Sequence, residues 1–476
     1  MQRVLSAFKT TMKNTKLKKR FRMSPMLVVL LGFLAVMSVG AFLLALPISN
    51  TLGTGEWLPF THVIYWATNG VCGTGLTVKP TALIFSPFGQ AVMFILIQFG
   101  GLGFMTFATM IFILIRKRIT VKDRIAIQEA LGLDEMKGVV RLVKNIAIMT
   151  GIIELAGAIL LAPFFCVRNG PIGIWQAVFN SVSAFCNAGF DVNGTPSNPY
   201  GSLTDYHSNA GILIIISVLA ILGAFGFPVI NDALKCRFRW KKYRLHTKMV
   251  IIVQLSLMVV GTFFFLASEF NSLAMKDMNG GEKLLNSMFQ SVMASSTAGF
   301  SSVNQTDLSS TGRIMTCVLM FIGASPCSTG GGIKTSTLAV LILMGICGLR
   351  GKDEITVAGR TISIKTGLRS VTVLFLATAL VIFSAMIMSA TDPNITQTIG
   401  SANINNDVGV YFFECITAFT TTGLSNGAAP YLSSGALYLQ AVIMLIGRIG
   451  PMSVGMIFVR SEKNSITYPN ANIMIG

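Results

Sequence analysis

Four short stretches of this chain repeat one another: Cys72-Gly73-Thr74-Gly75-Leu76, Cys186-Asn187-Ala188-Gly189-Phe190, Ser296-Thr297-Ala298-Gly299-Phe300 and Thr420-Thr421-Thr422-Gly423-Leu424. The shared glycines stand at 75, 189, 299 and 423, intervals of 114, 110 and 124 residues. An aromatic residue precedes each glycine by ten positions (Tyr65, Phe179, Phe289, Phe413), and a small residue precedes it by five (Gly70, Ala184, Ala294, Ala418). Self-similarity at a steady period means one structural unit used repeatedly, here four times.

What that unit can be follows from its flanks. Hydrophobic residues make up 52% of the chain and charged residues 12%, against roughly 25% charged in an ordinary soluble domain. Met26 to Leu46 carries no charge over 21 residues, enough for a helix to cross the hydrocarbon core of a bilayer. Apolar runs recur at 88–115, 146–166, 210–230, 249–267, 314–346, 368–390 and 436–459, giving eight spans, two per repeat. Between the spans of each repeat lies a short helical segment (61–70, 175–184, 282–294, 410–419), too short to cross and ending in the glycine motif. The expected architecture is an all-α membrane protein of four pseudo-fourfold repeats, each a span, a pore helix, a filter loop and a span around one pore.

The net charge of +18 would suggest a nucleic-acid partner in a soluble protein. Here 30 of the 37 Lys and Arg residues fall before Met26, in 116–144, 235–248 and 350–369, or after 459, all on one side of alternating spans. The positive-inside bias then sets both termini in the cytoplasm of a multi-pass plasma-membrane protein. Nine acidic residues (Glu56, Asp191, Asp205, Glu269, Asp277, Glu282, Asp307, Asp392, Asp407) fall on the other side against five basic ones, a mild excess that would concentrate cations at the mouth. The eight cysteines form no C-x-x-C pair and the three histidines no metal spacing, so neither a disulfide framework nor a zinc site is indicated.

A monovalent cation crossing a membrane sheds its water and needs replacement oxygens. Rings of backbone carbonyls supply them, and glycine permits the conformations that turn carbonyls inward. A short helix ending at the axis adds the negative end of its dipole. The residues expected to form the filter are Gly73, Thr74 and Gly75; Asn187, Ala188 and Gly189; Thr297, Ala298 and Gly299; Thr421, Thr422 and Gly423. Gly323 to Gly332, a run of Gly, Ser and Pro inside the third closing span, cannot hold a helix and is expected to interrupt that span.

These loops, together with Gln98 to Gly103, Gly323 to Thr335 and Gly447-Arg448-Ile449-Gly450-Pro451, resemble the TrkH/KtrB/HKT superfamily of cation transporters from Met26 onward. Within it the chain is most similar to the KtrB group, membrane subunits of Ktr potassium uptake systems, in its eight spans and its ending from Thr467 to Gly476. The resemblance implies potassium as the ion, sodium as a candidate coupling ion for symport, and no covalent cofactor. It further implies a homodimer on a cytoplasmic ring of nucleotide-binding KtrA-type subunits. A serine at the first filter glycine goes with sodium in HKT relatives; glycine at all four positions favours potassium, and a sodium transporter of the same fold is the alternative. The resemblance also makes the loop a gate, formed by Gly323, Gly330, Gly331, Gly332, Lys334 and Arg448, although Ala324 and Cys327 depart from the family's glycine-richer pattern.

The units so drawn are a basic cytoplasmic segment 1–25, repeats at 26–120, 145–245, 249–350 (with the broken closing helix) and 366–462, and a tail 463–476 at the implied dimer contact. Some roles stay open on sequence alone. Arg448 is either a positive barrier below the filter or an arginine held by helix-end carbonyls. Lys334 is either part of the gate or a lysine reaching for the cytoplasmic surface. Glu154 either helps couple a second ion or pairs with a polar neighbour, and Asn180 reads as a hydrogen-bonding strut. Enzymatic chemistry finds no support: Gly330 to Ser336 evokes a phosphate-binding loop, but Ile333 stands where that motif needs Gly before Lys.

Overall fold

The computed structural model describes residues 25–51, 57–103, 139–237, 239–352, 354–357, 359–393 and 408–458. The segment 1–24, the part of the first closing run beyond 103, the tail 463–476, Glu56 and Asp407 lie outside the described residues.

The first repeat comprises α1 (Pro25–Ala45), α2 (Phe60–Cys72) and α3 (Pro87–Leu102). The second comprises α4 (Val139–Asn169), α5 (Ile172–Phe185), α6 (Ala210–Phe225) and α7 (Phe227–Lys235). The third follows with α8 (Leu245–Glu269), α9 (Gly280–Ser296), α10 (Ser310–Ile322) and α11 (Thr335–Leu349). A small antiparallel hairpin, β1 (Ile355–Val357) with β2 (Arg360–Ile362), leads to the fourth repeat. That repeat is α12 (Ile364–Thr391), α13 (Val408–Thr420), α14 (Ser434–Ile449) and α15 (Pro451–Phe458).

The opening helices α1, α4, α8 and α12 are unbroken and long and apolar enough to cross a bilayer. Their outward faces carry Val39, Phe42, Ile152, Phe263, Phe375 and Phe383, each at least 60% exposed. The interior holds the polar side chains instead: Asn69, Asn180, Gln290, Thr417 and Thr420 are buried. Apolar outside and polar within is the distribution a lipid solvent requires, and the chain is a multi-pass membrane protein.

α2, α5, α9 and α13 have 13, 14, 17 and 13 residues. At 1.5 Å per residue each reaches only about 20 to 25 Å, short of a bilayer core of about 30 Å. Each ends at its glycine motif, as the sequence indicates.

The closing helices differ from expectation. The sequence marks only the third as interrupted, yet every one stops at a glycine with left-handed φ: Gly103 (77°), Gly226 (80°), Gly323 (61°) and Gly450 (98°). The runs 210–230 and 436–459 are therefore broken helices, and α6 and α7 meet at 95°. One cause is close approach. A Cβ at Gly100, Gly223 or Gly447, three residues before the stop, would run into the carbonyl oxygen of Val71, Phe185 or Phe419 on the short helices. The starts are equally alike. Ser86, Asn209, Ser309 and Ser433 each accept a hydrogen bond from the amide three residues on, capping α3, α6, α10 and α14. A polar N-cap satisfies one of the helix's orphan donors, a device worth about 1 kcal/mol.

Candidate ion filter and the loop beneath it

The four glycine motifs share one backbone conformation. Gly73, Asn187, Thr297 and Thr421 all have left-handed φ, between 49° and 65°. The next residue returns its amide to the carbonyl five positions back: Thr74 to Asn69, Ala188 to Ser183, Ala298 to Met293 and Thr422 to Thr417. This is a Schellman ending, which closes a helix by satisfying carbonyls left over in its last turn. The chain then turns through the filter glycine, again left-handed in each case: Gly75 (88°), Gly189 (67°), Gly299 (76°), Gly423 (94°).

The four loops close on one another in a ring. A Cβ on Gly75 would stand 2.5 Å from the Ala188 carbonyl oxygen, and one on Gly189 would stand 2.9 Å from that of Ala298. One on Gly299 would strike the Thr422 oxygen, and one on Gly423 the Thr74 oxygen, which returns to the first loop. Each repeat thus abuts the next in the order first, second, third, fourth, first. A glycine is required at each position by contact with its neighbour as well as by φ.

The oxygens around this ring suit a bare cation. Thr74 Oγ1, Asn187 Oδ1, Ser296 Oγ and Thr421 Oγ1 are buried without a hydrogen-bond partner. A buried orphan oxygen costs free energy unless something compensates it, and a cation does so. No cluster of His, Cys, Asp or Glu that would hold a metal ion occurs among the described residues. Any cation held here is held by carbonyls and hydroxyls.

Above the ring a cavity of about 360 Å³ has all four filter glycines in its lining, with Asp191, Tyr200, Ser425 and Tyr431. Burial raises the Asp191 carboxyl above the ordinary carboxylate range, against the pull of the Asn193 amide that donates to it. The other external acids have different work. Glu269 accepts from the Ser309 amide at 3.1 Å, Asp392 from the Ser433 hydroxyl at 3.0 Å, and Asp205 pairs with Arg168 at 3.7 Å. Of the nine, only Asp191 lines this cavity among the described residues.

Below the ring lies the segment from Gly323 to Gly332. It touches the second, third and fourth repeats. A Cβ on Gly330 would stand 2.8 Å from the Ser296 oxygen and one on Gly331 would meet that of Thr420, while the Gly331 amide donates to Thr297 Oγ1 at 3.0 Å. Thr329 Oγ1 donates to the Phe185 carbonyl at 3.0 Å. Arg448 reaches across, donating to the carbonyls of Thr329 in this segment and Gly100 at the end of α3. Lys334 turns back into the segment, its Nζ 2.7 Å from the Gly330 oxygen.

The structure thus brings together all twelve filter residues and all six gating residues named from the sequence. Arg448 lies beneath the ring and is held by a helix-end carbonyl and a loop carbonyl, the second of its two sequence readings. Asn180 is a strut, donating to the Gln176 carbonyl and to Asn193 Oδ1 at 2.8 and 2.9 Å. Glu154 accepts from Gln98 Nε2 at 2.7 Å, the polar pairing foreseen as one of its two roles. Missed by sequence reasoning were the breaks at Gly103, Gly226 and Gly450. The signal was present as Gly-x-x-Gly in Gly100 to Gly103, Gly223 to Gly226 and Gly447 to Gly450.

Comparison with known proteins agrees. The family profile TrkH, described as cation transport protein, matches residues 33–467. The potassium/sodium uptake protein NtpJ of Enterococcus hirae is 36% identical, with 97% of this chain and 100% of that protein covered. Ktr system potassium uptake protein B of Bacillus subtilis is 33% identical over 98% of this chain and 100% of that one. The crystal structure of the potassium transporter TrkH from Vibrio parahaemolyticus superposes with a TM-score of 0.69 at 18% identity, covering 93% of this chain and 86% of that one.

Proposed function

This chain belongs to the TrkH family of cation transport proteins, and on that premise we propose that it is the potassium-translocating subunit of an uptake system. The observation that carries the reading is the closed ring: four left-handed glycines, each abutting the next repeat's carbonyl, with unpartnered oxygens around them. A potassium ion entering from the cavity above exchanges hydration water for these oxygens. Four short helices point their negative ends at it, favouring a cation over an anion. Chemistry of this kind breaks no covalent bond, and the protein is a transporter, not an enzyme.

Passage is controlled from below. The segment 323–332 occupies the space under the ring, and Lys334 and Arg448 set two positive charges in the ion's path. Such a barrier is useful only where a partner relieves it. The B. subtilis relative is named as part of a Ktr system, and we assign this chain the same kind of partner: a cytoplasmic nucleotide-binding KtrA-type ring beneath a homodimer. The basic loops and both termini would then face the cytoplasm.

A second reading makes sodium a transported or coupled ion, because the E. hirae relative is named for both ions. Rubidium uptake into liposomes holding the purified protein, with and without a sodium gradient and with sodium as competitor, separates the two. Potassium transport predicts uptake that excess sodium does not suppress. Gly75→Ser adds a side chain against the Ala188 carbonyl and is expected to reduce potassium-over-sodium preference by about tenfold, some 1.4 kcal/mol of lost discrimination. Wild-type protein that passes no cation, or a Gly75→Ser protein with unchanged preference, would remove the ring from the ion path.

A further inference from the structure

We propose that the buried carboxylate of Glu414 is a fixed counter-charge for the ion in the filter and positions the fourth filter loop. The inference rests on the transport reading above and adds to it an asymmetry among the four repeats.

Nine positions before the filter glycines stand Trp66, Asn180, Gln290 and Glu414. Each props the strand of chain that leaves its own filter, or the segment soon after it. Trp66 sets its ring edge-on to Phe85, with centroids 5.0 Å apart. Asn180 donates to Asn193 Oδ1 at 2.9 Å, and Gln290 donates to Gln305 Oε1 at 2.8 Å. Glu414 does the same work with a carboxylate: Oε1 accepts from Ser425 Oγ at 2.5 Å and from the Asn426 amide at 3.1 Å. Three of the four positions are neutral and one is an acid.

The hydrogen bonds make Oε1 of that acid an acceptor, as an ionised carboxylate requires. The Gly427 amide donates to Ser425 Oγ at 3.0 Å, which leaves the Ser425 proton free to go to Glu414. Both groups on Oε1 are donors, the environment of an ionised carboxylate, which only accepts. The remaining oxygen, Oε2, is buried, and the carboxyl also faces the Gln440 amide. No base neutralises the charge: Glu414 is 0% exposed, and no Lys or Arg forms an ion pair with it among the described residues.

A buried charge without compensation is costly. The group it braces, Ser425, lines the cavity directly over the filter glycines. Hydrogen bonds stabilise the carboxylate but bring no opposite charge, and on this proposal the transported ion supplies it through the loop that Glu414 holds. Gln440 ties the site to the first repeat: its Oε1 accepts from Tyr65 Oη at 2.6 Å, while its side-chain amide faces Glu414.

The test is rubidium uptake in proteoliposomes by wild type, Glu414→Gln, Glu414→Asp and the double variant Glu414→Gln with Asn180→Asp. The last moves the charge to the equivalent position of the second repeat. Glu414→Gln keeps the shape and is expected to raise KM about tenfold, with the maximal rate little changed. Glu414→Asp retains the charge and is expected to stay near the wild-type KM, and Asn180→Asp is expected to restore most of the lost affinity. Thermal stabilisation by added K+, measured in detergent, reads the same affinity without transport and should shrink in Glu414→Gln alone. Normal assembly of Glu414→Gln with wild-type KM and K+ stabilisation would overturn the proposal. A raised KM that the transplanted charge leaves unrestored would overturn the counter-charge. Wild-type protein that takes up no rubidium would instead sink the transport reading.

Discussion

The closing helices of the second and third repeats begin from the same device and end differently. Both run from a polar N-cap to a glycine in left-handed conformation, Gly226 in one and Gly323 in the other. After Gly226 the chain resumes a helix at once, bent by 95°. After Gly323 eleven residues intervene before α11 begins at Thr335. The two are interlocked. The amides of Ser325 and Thr329 donate to the carbonyls of Ala224 and Gly223 at 3.1 and 3.3 Å, the Phe227 amide donates to the Cys327 carbonyl at 3.2 Å, and Ser325 Oγ donates to the Phe225 carbonyl at 2.5 Å. A broken helix at membrane depth must have its freed groups satisfied by protein or water. In the second repeat the third repeat's insertion satisfies them. The segment 323–332 is thus the cap of a neighbouring helix, and moving it should disturb that helix.

Removing residues 326–329 tests this hardest. It clears part of the space beneath the ring and is expected to raise basal cation flux about tenfold or more in liposomes without a partner, a barrier lowered by about 1.4 kcal/mol. A deleted protein that inserts normally and conducts no faster would end the gate reading. Gly226→Ala attacks the other half. Its φ of 80° and ψ of 154° suit glycine, and a Cβ would stand 2.8 Å from the Pro326 oxygen. The expected loss is about 3 kcal/mol, read as a lower unfolding temperature in detergent; a stable Gly226→Ala protein would show that the break does not depend on that contact. Arg448→Ala removes the donors to Thr329 and Gly100. It should raise flux by less than the deletion while costing about 2 kcal/mol for the stranded carbonyls. Cys327→Gly should do least. Cys327 already has φ of 56°, so glycine relieves strain but adds freedom to the unfolded chain, and the two offset to within about 1 kcal/mol.

The sequence was most legible where physics forces repetition. The same turn meets its neighbour in one ring four times, so the glycines at 75, 189, 299 and 423 recur visibly, and the short helices before them follow within a few residues at either end. The helix breaks were harder to see. Gly226 lies in an apolar stretch whose hydropathy reads as one span, and its reason to bend is the approach of Phe185 to Gly223 and of Pro326 to Gly226, 38 and 100 residues away along the chain. The local roles of the external acids were also hidden: Glu269 and Asp392 count toward charge in a sequence, and in the fold each also accepts a hydrogen bond at a helix start. The four bracing positions at 66, 180, 290 and 414 share no residue type, so only the recurrence of the glycine lets them be aligned.

Closure of the ring within one polypeptide has a genetic consequence. In a pore assembled from identical subunits, one codon change alters every quadrant at once. Here it alters a single quadrant and leaves the other three unchanged. Divergence among the quadrants is already visible where the backbone is the same: the left-handed position is Gly73 in one, Asn187 in the next, and the β-branched Thr297 and Thr421 in the others. Each quadrant can therefore drift or specialise alone, so long as the glycine against its neighbour is kept.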